Sequence, residues 1–354
     1  MSSKNDKLTI TRNSIDKVDD ELTTLLNKRA TLAKQTTKLK PNTIFDPTRE
    51  GKILKKIKSK NNGPITNTGL EQVYREILSV CREIQMPVQV SYLGPEGSNT
   101  NEATIKTFGG ATTLLPQASI SDIFISVERG ETNFGVVPIE NSLEGPIGET
   151  LDRLTDKNVV IISERSQTIT HNLVSKEKSL QKIKTLYSHP QALAQSRRWI
   201  QRNLPHVQIK ETTSTSSAAL TASKLKNVAA IAPKACAKLY SLHLLKSNIQ
   251  DEKNNTTIFI VIKHEEQGVN LSSAAKISLA FSLDHKPGTL YECLQPFKNA
   301  KINLTKIQSR PSRKLQWDYL FFIDFLVGKK HKEAARCVEK LRKATSYFKI
   351  LGAF

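Results

Sequence analysis

The central part of the chain is organised around one stretch, Gly135-Val-Val-Pro-Ile-Glu-Asn-Ser-Leu-Glu-Gly-Pro-Ile-Gly-Glu-Thr-Leu-Asp-Arg-Leu154. Its apolar start predicts a short strand over residues 134–139, rich in β-branched side chains. A turn broken by glycine and proline follows Glu140 and Asn141, and helical spacing resumes at Ile147. Ligands of open α/β sheets bind outside the carboxyl ends of strands, so this carboxylate and amide are candidates to contact a small polar substrate. The alternative is that they only cap the next helix.

The segment Pro138-Ile-Glu-Asn-Ser-x-Glu-Gly145 resembles the signature of prephenate dehydratases. With the rest of the chain, the resemblance extends to the bifunctional chorismate mutase/prephenate dehydratases of bacterial phenylalanine biosynthesis, over nearly all 354 residues. It implies a multidomain protein with chorismate and prephenate as substrates and phenylalanine as an allosteric inhibitor. The implied domains are an all-α chorismate mutase module (1–87), a two-lobed α/β prephenate dehydratase domain (88–266) and an α+β, ferredoxin-like ACT regulatory domain (272–354).

The bulk composition is typical of a cytoplasmic enzyme with more than one domain. A chain of 354 residues exceeds what one core usually supports, and no apolar run approaches the roughly 20 residues of a membrane span. The N-terminus has no apolar signal region. Four separated cysteines without a Cys-x-x-Cys pair argue against a disulfide scaffold or zinc site, and the seven histidines lack metal-ligand spacing. We therefore expect cytoplasmic location, no membrane span, no metal and no cofactor.

The net charge of +20 indicates either nucleic-acid binding or anionic substrates. The lysines are spread along the whole chain and are rarely interleaved with aromatic residues, as single-strand binding surfaces would be. The pattern favours anionic substrates, and we expect no nucleic-acid partner.

The first block reads as a helical module. Apolar residues at heptad spacing predict one helix from about Leu8 to Lys40, near 45 Å long. Because such a helix cannot bury itself alone, we expect a homodimer or higher homo-oligomer. Arg29 interrupts the apolar seam, where a guanidinium is costly unless it meets an anion. Asp46, followed by proline, predicts the start of a second helix, and Gln85 falls on the apolar face of a third. A simple coiled-coil dimer would explain Arg29 but not Gln85.

This module is similar to the all-helical chorismate mutases, which are intertwined dimers. Their rearrangement is pericyclic, so catalysis means holding a compact conformer and stabilising negative charge on the breaking ether oxygen. By position, the resemblance assigns substrate holding to Arg12 (from a second copy), Arg29 and Arg49. It assigns the ether oxygen to Lys40 and Gln85, and further site-lining positions to Asp46, Glu50 and Cys81.

The second block alternates strands and helices, which predicts parallel α/β layers in two similar lobes with a cleft between them. The resemblance assigns prephenate to this cleft. Carbon dioxide and hydroxide leave together as the ring becomes aromatic, so a proton or hydrogen-bond donor must assist the hydroxide. Thr257, in Asn255-Thr-Thr-Ile-Phe259, matches the family's Asn-x-Thr-Arg-Phe and is the candidate donor. The other assigned positions are Glu140 and Asn141 for catalysis, and Ser188, Gln195 and Glu211 for substrate binding.

Ile258 departs from the family motif, which has arginine there, and removes a charge next to the candidate donor. An alternative function is therefore a phenylalanine-sensing or anion-binding protein with a decayed dehydratase site. His189, within Ser-His-Pro-Gln, is expected to shape a turn rather than to act as an acid.

The third block has the βαββαβ order of a ferredoxin-like sandwich, and residues 277–283 alternate like a half-buried strand. It resembles an ACT domain through Pro287-Gly-x-Leu290 and Ile302-Asn-Leu-Thr-Lys-Ile-x-Ser-Arg-Pro311. Gln308 and Thr289 stand where that family usually has glutamate and alanine, so we expect reduced feedback sensitivity. The alternative is a purely dimerising domain. The implied phenylalanine-binding residues are Gly288, Leu290, Asn303, Leu304, Gln308, Ser309 and Arg310.

Overall fold

The computed structural model describes residues 4–39, 45–266, 268–284, 286–311 and 319–354. It divides the chain into two compact units, residues 1–89 with 105–113, and residues 90–104 with 114–354. The second unit contains most of the predicted dehydratase block and all of the predicted ACT block.

Three helices build most of the first unit, which also contains residues 105–113: α1 (Lys4–Leu39), α2 (Pro47–Ser59) and α3 (Asn67–Gln85). The long helix predicted from the heptad spacing is confirmed, and α2 begins where predicted. The Asp46 side chain accepts the backbone N–H of Arg49 at 2.8 Å, which caps α2. No residue of α1 is buried over its described length, although many of its heptad positions are apolar. The apolar heptad positions of α1 are therefore not buried by the other residues of this unit.

The second unit contains two α/β lobes followed by a C-terminal sandwich. The first lobe comprises β1 (Gln89–Leu93), α4 (Asn99–Phe108), β2 (Thr113–Gln117), α5 (Ile120–Glu128), β3 (Phe134–Asn141), β4 (Gly145–Pro146), α6 (Gly148–Asp156) and β5 (Val159–Thr168). The second lobe comprises β6 (Asn172–Ser175), a 3-10 turn (Leu180–Lys182), β7 (Thr185–Ser188), α7 (Pro190–Ala194), α8 (Arg197–Asn203), β8 (Gln208–Glu211), α9 (Thr215–Ala222), β9 (Val228–Ala232), α10 (Lys234–Leu239) and β10 (His243–Lys246). The remaining elements are β11 (Thr256–His264), β12 (Lys276–Ser282), α11 (Thr289–Asn299), β13 (Leu304–Pro311), β14 (Tyr319–Leu326), α12 (His331–Lys343) and β15 (Tyr347–Ala353).

The expectation of parallel layers is correct only in part, because both sheets are mixed. β1 runs parallel to β3, and β7 runs parallel to β8 and β9. β11 lies antiparallel between β3 and β5, and β6 is antiparallel to β9. The chain leaves the first lobe after β5, forms the second lobe, and returns to the first sheet as β11. In that sheet β11 runs in the direction opposite to its neighbours β3 and β5. The second lobe has its own sheet, in the order β10-β6-β9-β7-β8.

The C-terminal strands lie in the order β13-β14-β12-β15, with every neighbouring pair antiparallel. This is the predicted ferredoxin-like arrangement. β12 is not half-buried as its alternation suggests, because both of its faces are covered. Ile277, Leu279 and Phe281 belong to the core of the sandwich, whereas Ala280 packs in the core of the first lobe. The small residues of β12 therefore fit against a second layer, rather than facing water.

A glycine joins the C-terminal sheet to the first lobe. Gly352 of β15 pairs in parallel with Ile161 of β5, and a Cβ at this glycine would collide with the backbone carbonyl of Ile161. We expect Gly352→Ala to destabilise the second unit by about 1–3 kcal/mol, because backbone atoms must move to admit the methyl group. Calorimetric thermal unfolding would measure this as a lowered transition temperature.

Gly268→Ala is the matched control, since among the described residues nothing lies within 4 Å of a Cβ at Gly268. Equal transition temperatures for the two variants would show that the β15–β5 junction tolerates a side chain.

Two candidate active sites

A cavity of about 420 Å³, the helical cavity, lies among the three helices of the first unit and is lined by both charged and apolar side chains. Its volume is in the range of small-molecule sites. Apolar side chains of α1, α2 and α3 form part of its wall, including Leu32, Ile53 and Leu78. Six of the predicted mutase residues also line it: Arg29, Asp46, Arg49, Glu50, Cys81 and Gln85. Residues from three separate helices thus converge as the resemblance implies.

Arg29 points into the helical module. Its Nη1 donates to Sγ of Cys81 at 2.8 Å, which joins α1 to α3. This contact accounts for a charged residue at an apolar heptad position, since the guanidinium faces a cavity that contains other polar side chains rather than the interface of a coiled coil.

Arg82 also lines the helical cavity, and the sequence pattern did not select it. Its guanidinium is buried, forms an ion pair with Glu50 and donates to the carbonyl of Phe108. It also lies 5.2 Å from the ring centroid of Phe45. Burial raises the pKa of Glu50, while the charge of Arg82 opposes this rise. The available signal was the spacing of four residues from Leu78, which places Arg82 on an inward face of α3.

One described residue of the predicted mutase site, Arg12, does not line this cavity. Arg12 is exposed on α1, and its 17-residue separation from Arg29 corresponds to about 25 Å along the helix. Lys40 lies outside the described residues.

The second cavity, of about 500 Å³, lies between the two lobes of the second unit and is called the cleft cavity here. The ends of β1, β3 and β7 border it, together with the N-termini of α4, α7 and α9. Polar groups at strand ends thus face each other across the cleft, as predicted. Three of the predicted dehydratase residues line it: Asn141, Gln195 and Thr257.

A chain of hydrogen bonds connects these three residues. Nδ2 of Asn141 donates to Oγ1 of Thr257 at 2.9 Å and to Oδ1 of Asn255 at 2.7 Å. Nδ2 of Asn255 donates to Oε1 of Gln195 at 3.1 Å. Oε1 of Gln195 also lies 2.8 Å from Nε2 of His171. Four of these side chains are buried, so their polar groups have little access to water and depend on each other.

His171 is the cavity residue that sequence reasoning missed. Burial lowers its pKa, while the hydrogen bond with Gln195 opposes this effect. No sequence signal marked it, since an isolated histidine in Thr-His-Asn matches no catalytic spacing. His189 also lines the cleft cavity, and its Nδ1 accepts the backbone N–H of Gln191 at 3.3 Å. This contact caps α7, in agreement with the predicted role of His189 in the turn.

Three predicted dehydratase residues lie elsewhere. Glu140 pairs with Lys306 of β13, with Oε2 and Nζ 2.6 Å apart, because successive residues of β3 point to opposite faces. The fully buried Oγ of Ser188 donates to the carbonyl of Ile231 at 2.8 Å. Glu211 is exposed on β8, the edge strand of the second sheet. These placements give Glu140 a contact with the C-terminal sandwich and Ser188 a contact within its own lobe, instead of the substrate contacts expected.

The presence of Ile258 in place of the family's arginine does not remove a charge from the cleft cavity. Thr257 and Phe259 line the cavity, whereas Ile258 between them does not. Ile258 is the cross-strand partner of Glu140, on the face that points away from the cavity. An arginine at this position would therefore lie beside Glu140.

Electrostatically, the cleft cavity depends on helix ends rather than cationic side chains. Among the described residues that line it, none is lysine or arginine. The first residues of α4 and α9, including Asn99, Thr100 and Thr215, contribute instead. Helix N-termini present free backbone N–H groups and a positive dipole end, which favour anions.

The predicted phenylalanine-binding residues lie on two elements of the C-terminal sandwich. Gly288 caps α11 with a φ of 88°, a conformation that favours glycine. Leu290 and Leu304 pack against the sandwich core, and Asn303 and Ser309 are exposed. Within the described part of the chain, Oε1 of the half-buried Gln308 has no hydrogen-bond partner. Arg310 pairs with Asp152 of α6 at 3.0 Å, so its guanidinium contacts the first lobe.

Within the described ranges, no helix is long and apolar enough to cross a membrane. The same residues include no group of three or more histidine, cysteine or acidic side chains placed to hold a metal ion.

Known proteins resemble this chain along nearly its whole length. The family models for chorismate mutase type II and prephenate dehydratase match residues 11–86 and 90–267. The bifunctional chorismate mutase/prephenate dehydratase of Aquifex aeolicus is 37% identical, over 97% of this chain and 96% of its own. That of Pseudomonas aeruginosa is 38% identical, over 99% and 98%. The solved structure of the Arthrobacter aurescens prephenate dehydratase in complex with L-Phe aligns with a TM-score of 0.67 and 29% identity, covering 75% of this chain and 89% of that one. The chain therefore belongs to the family of bifunctional chorismate mutase/prephenate dehydratases.

Proposed function

We propose that the chain converts chorismate to prephenate in the helical cavity and prephenate to phenylpyruvate in the cleft cavity. We further propose that phenylalanine inhibits it at the C-terminal sandwich, acting as an ACT domain. The observation that carries the proposal is the presence in each compact unit of one cavity of small-molecule size into which several polar side chains point. The four cysteines are free, in keeping with the reducing cytoplasm where we expect these steps to occur.

In the helical cavity, the ether C–O bond of chorismate breaks as a new C–C bond forms, so no nucleophile is needed. Arg29 and Arg49 line the cavity and would hold the substrate carboxylates. Gln85, with Lys40 as its expected partner, would donate to the ether oxygen as negative charge develops there. Such donors lower the barrier because they are in place before the charge appears.

In the cleft cavity, the C–C bond to the ring carboxylate breaks and carbon dioxide leaves. The electron pair moves into the ring, the C–O bond breaks, and hydroxide leaves with the C–O bonding electrons. Thr257 is the proposed hydrogen-bond donor to this hydroxyl. Because Oγ1 of Thr257 already accepts from Asn141, its hydroxyl hydrogen remains available to the substrate. The helix N-termini would attract the carboxylates in place of an arginine.

Purified full-length chain, with no added cofactor, tests both reactions. Chorismate consumption measures the mutase, and phenylpyruvate absorbance after addition of prephenate measures the dehydratase. Failure to form phenylpyruvate from prephenate would favour the alternative of a phenylalanine-sensing protein. That alternative drew its support from Ile258, which does not line the cleft cavity.

The proposed functional form is a homodimer. α1 exposes apolar residues along its length, with 54% of Ile15, 50% of Leu22 and 60% of Leu25 accessible. A second copy packed on this seam would bury them and would bring its own Arg12 toward the helical cavity. One chain cannot supply both arginines, because Arg12 and Arg29 are about five helical turns apart.

The proposed phenylalanine site predicts weak inhibition. Gln308 presents a neutral amide where a carboxylate would pair with the ligand's ammonium group. We expect Gln308→Glu to tighten phenylalanine binding by about tenfold, since charge-assisted hydrogen bonds are roughly twice as strong as neutral ones. Isothermal titration calorimetry measures the change. The control is Gln295→Glu, which makes the same charge change on an exposed position of α11. If the unsubstituted chain and the Gln308→Glu variant bind phenylalanine equally tightly, Gln308 does not weaken phenylalanine binding.

A further inference from the structure

A buried histidine that the proposed reaction does not use lines the cleft cavity. His171 is 5% exposed, and its Nε2 lies 2.8 Å from Oε1 of Gln195. Its backbone is fixed as well, since its N–H donates to Gln250 and its carbonyl accepts from Ile249. The ring is therefore held at the end of the hydrogen-bond chain that leads to Thr257.

The direction of that chain is set at Asn141, because backbone N–H groups can only donate. The N–H groups of Leu143 and Glu144 donate to Oδ1 of Asn141 at 3.0 and 3.2 Å. Its Nδ2 must then face the opposite way and donate to Thr257 and Asn255. The orientation of this amide consequently follows from the backbone rather than from any neighbouring side chain.

The orientation of the Asn141 amide also sets the donor and acceptor ends of the next two amides in the chain. Asn255 accepts from Asn141 through Oδ1, so its Nδ2 is left to donate to Oε1 of Gln195. Oε1 of Gln195 is therefore an acceptor, and the atom of His171 that faces it must carry a hydrogen. That atom is Nε2.

We propose that His171 is a positioning residue for the dehydratase reaction, with its proton on Nε2, where it holds the amide of the cavity-lining Gln195 in one orientation, with Oε1 toward His171 and Asn255. This inference rests on the proposed dehydratase function. With the proton on Nδ1 alone, two acceptors would face each other at 2.8 Å. Turning the Gln195 amide to relieve this would place two NH₂ groups together at Asn255, and a buried mismatch of this kind is costly.

The charge state of the ring is consistent with this role. Burial lowers the pKa of His171, so the ring is neutral near pH 7 and the choice of tautomer matters. Glu144 and His189 are the other titratable residues that line the cleft cavity.

Two substitutions separate positioning from packing. His171→Leu removes the N–H donor but retains an apolar side chain, whereas His171→Gln retains a donor at a similar distance from the backbone. We expect His171→Leu to lower kcat for prephenate by about 10- to 100-fold with a smaller change in KM, because the Gln195 amide is then no longer held in the orientation that the reaction needs. His171→Gln should recover most of this loss. His206→Leu is the control, since His206 bonds to the carbonyl of Ile183 and does not line the cavity.

Calorimetric thermal unfolding of each variant reports whether the second unit is folded, because mutase turnover depends on the other compact unit. ¹⁵N NMR of the unsubstituted protein, labelled at its histidines, measures which ring nitrogen of His171 carries the proton. The His171 resonance is identified because it is missing from the spectrum of the His171→Gln variant. A proton on Nε2 is expected. A proton on Nδ1, full dehydratase activity in a folded His171→Leu variant, or equal losses for leucine and glutamine would each overturn the inference. If the unsubstituted chain fails to convert prephenate, the proposed function fails, and the NMR result still decides the direction of the hydrogen bonds.

Discussion

Replacing Thr257 by valine is expected to lower dehydratase turnover by about 10²- to 10⁴-fold, the usual contribution of a positioned proton or hydrogen-bond donor. Valine has nearly the same shape as threonine but lacks the hydroxyl, so the leaving hydroxide loses its donor. Nδ2 of Asn141 keeps its bond to Asn255, so the cavity is expected to persist. Phenylpyruvate formation from saturating prephenate measures the loss, and mutase turnover should not change.

Two variants make this result specific to the hydroxyl. Thr257→Ser retains it and should stay within a few-fold of the unsubstituted chain. Thr256→Val makes the same chemical change one residue earlier, on the opposite face of β11, and should have little effect on turnover. A Thr257→Val enzyme that dehydrates prephenate at the normal rate would exclude Thr257 as the donor.

Arg29→Ala is expected to lower mutase turnover by about 10²- to 10³-fold, because a preorganised cation that stabilises the transition state is lost. Dehydratase turnover should be preserved, since no residue of the first unit lines the cleft cavity as described. Chorismate consumption is the measurement. Lys28→Ala, at the exposed neighbouring position of α1, is the control. A matching loss of both activities would argue against separable sites.

The same variant tests the proposed dimer. Arg12→Ala and Arg29→Ala homodimers should each lack mutase activity, because every site needs both arginines from different copies. After the two variants are unfolded and refolded together, a mixed dimer contains one site with both arginines intact. Mutase activity should therefore return in the mixture. If each chain completed its own site, no activity would be regained.

Local patterns were enough to predict most helices and strands of this protein. The heptad spacing of α1, the Asp46 cap of α2 and the apolar run of β3 depend on neighbouring residues, and the structure contains all three elements. The strand directions were predicted less well. A strand such as β11 takes its partners from far along the chain, and nothing within its own residues records whether they run parallel or antiparallel.

The sites divide in the same way. Arg29 and Gln85 were found from sequence because each breaks the apolar pattern of its own helix. Glu140 and Asn141 were equally good candidates at one strand end, until the pleat of β3 turned Asn141 to the cavity and Glu140 to Lys306. His171 had no local signal at all.

Residue type and periodicity alone therefore established the helical module, the alternating α/β block, the ferredoxin-like order and the presence of polar groups at strand ends. Which of those groups meet came only from the tertiary structure. The decisive contact joins Asn141 to Thr257 across 116 residues of chain, and the next joins Asn255 to Gln195 across 60. Hydrogen-bond direction depends on such long-range pairs, because each amide is oriented by the partner that folding brings to it.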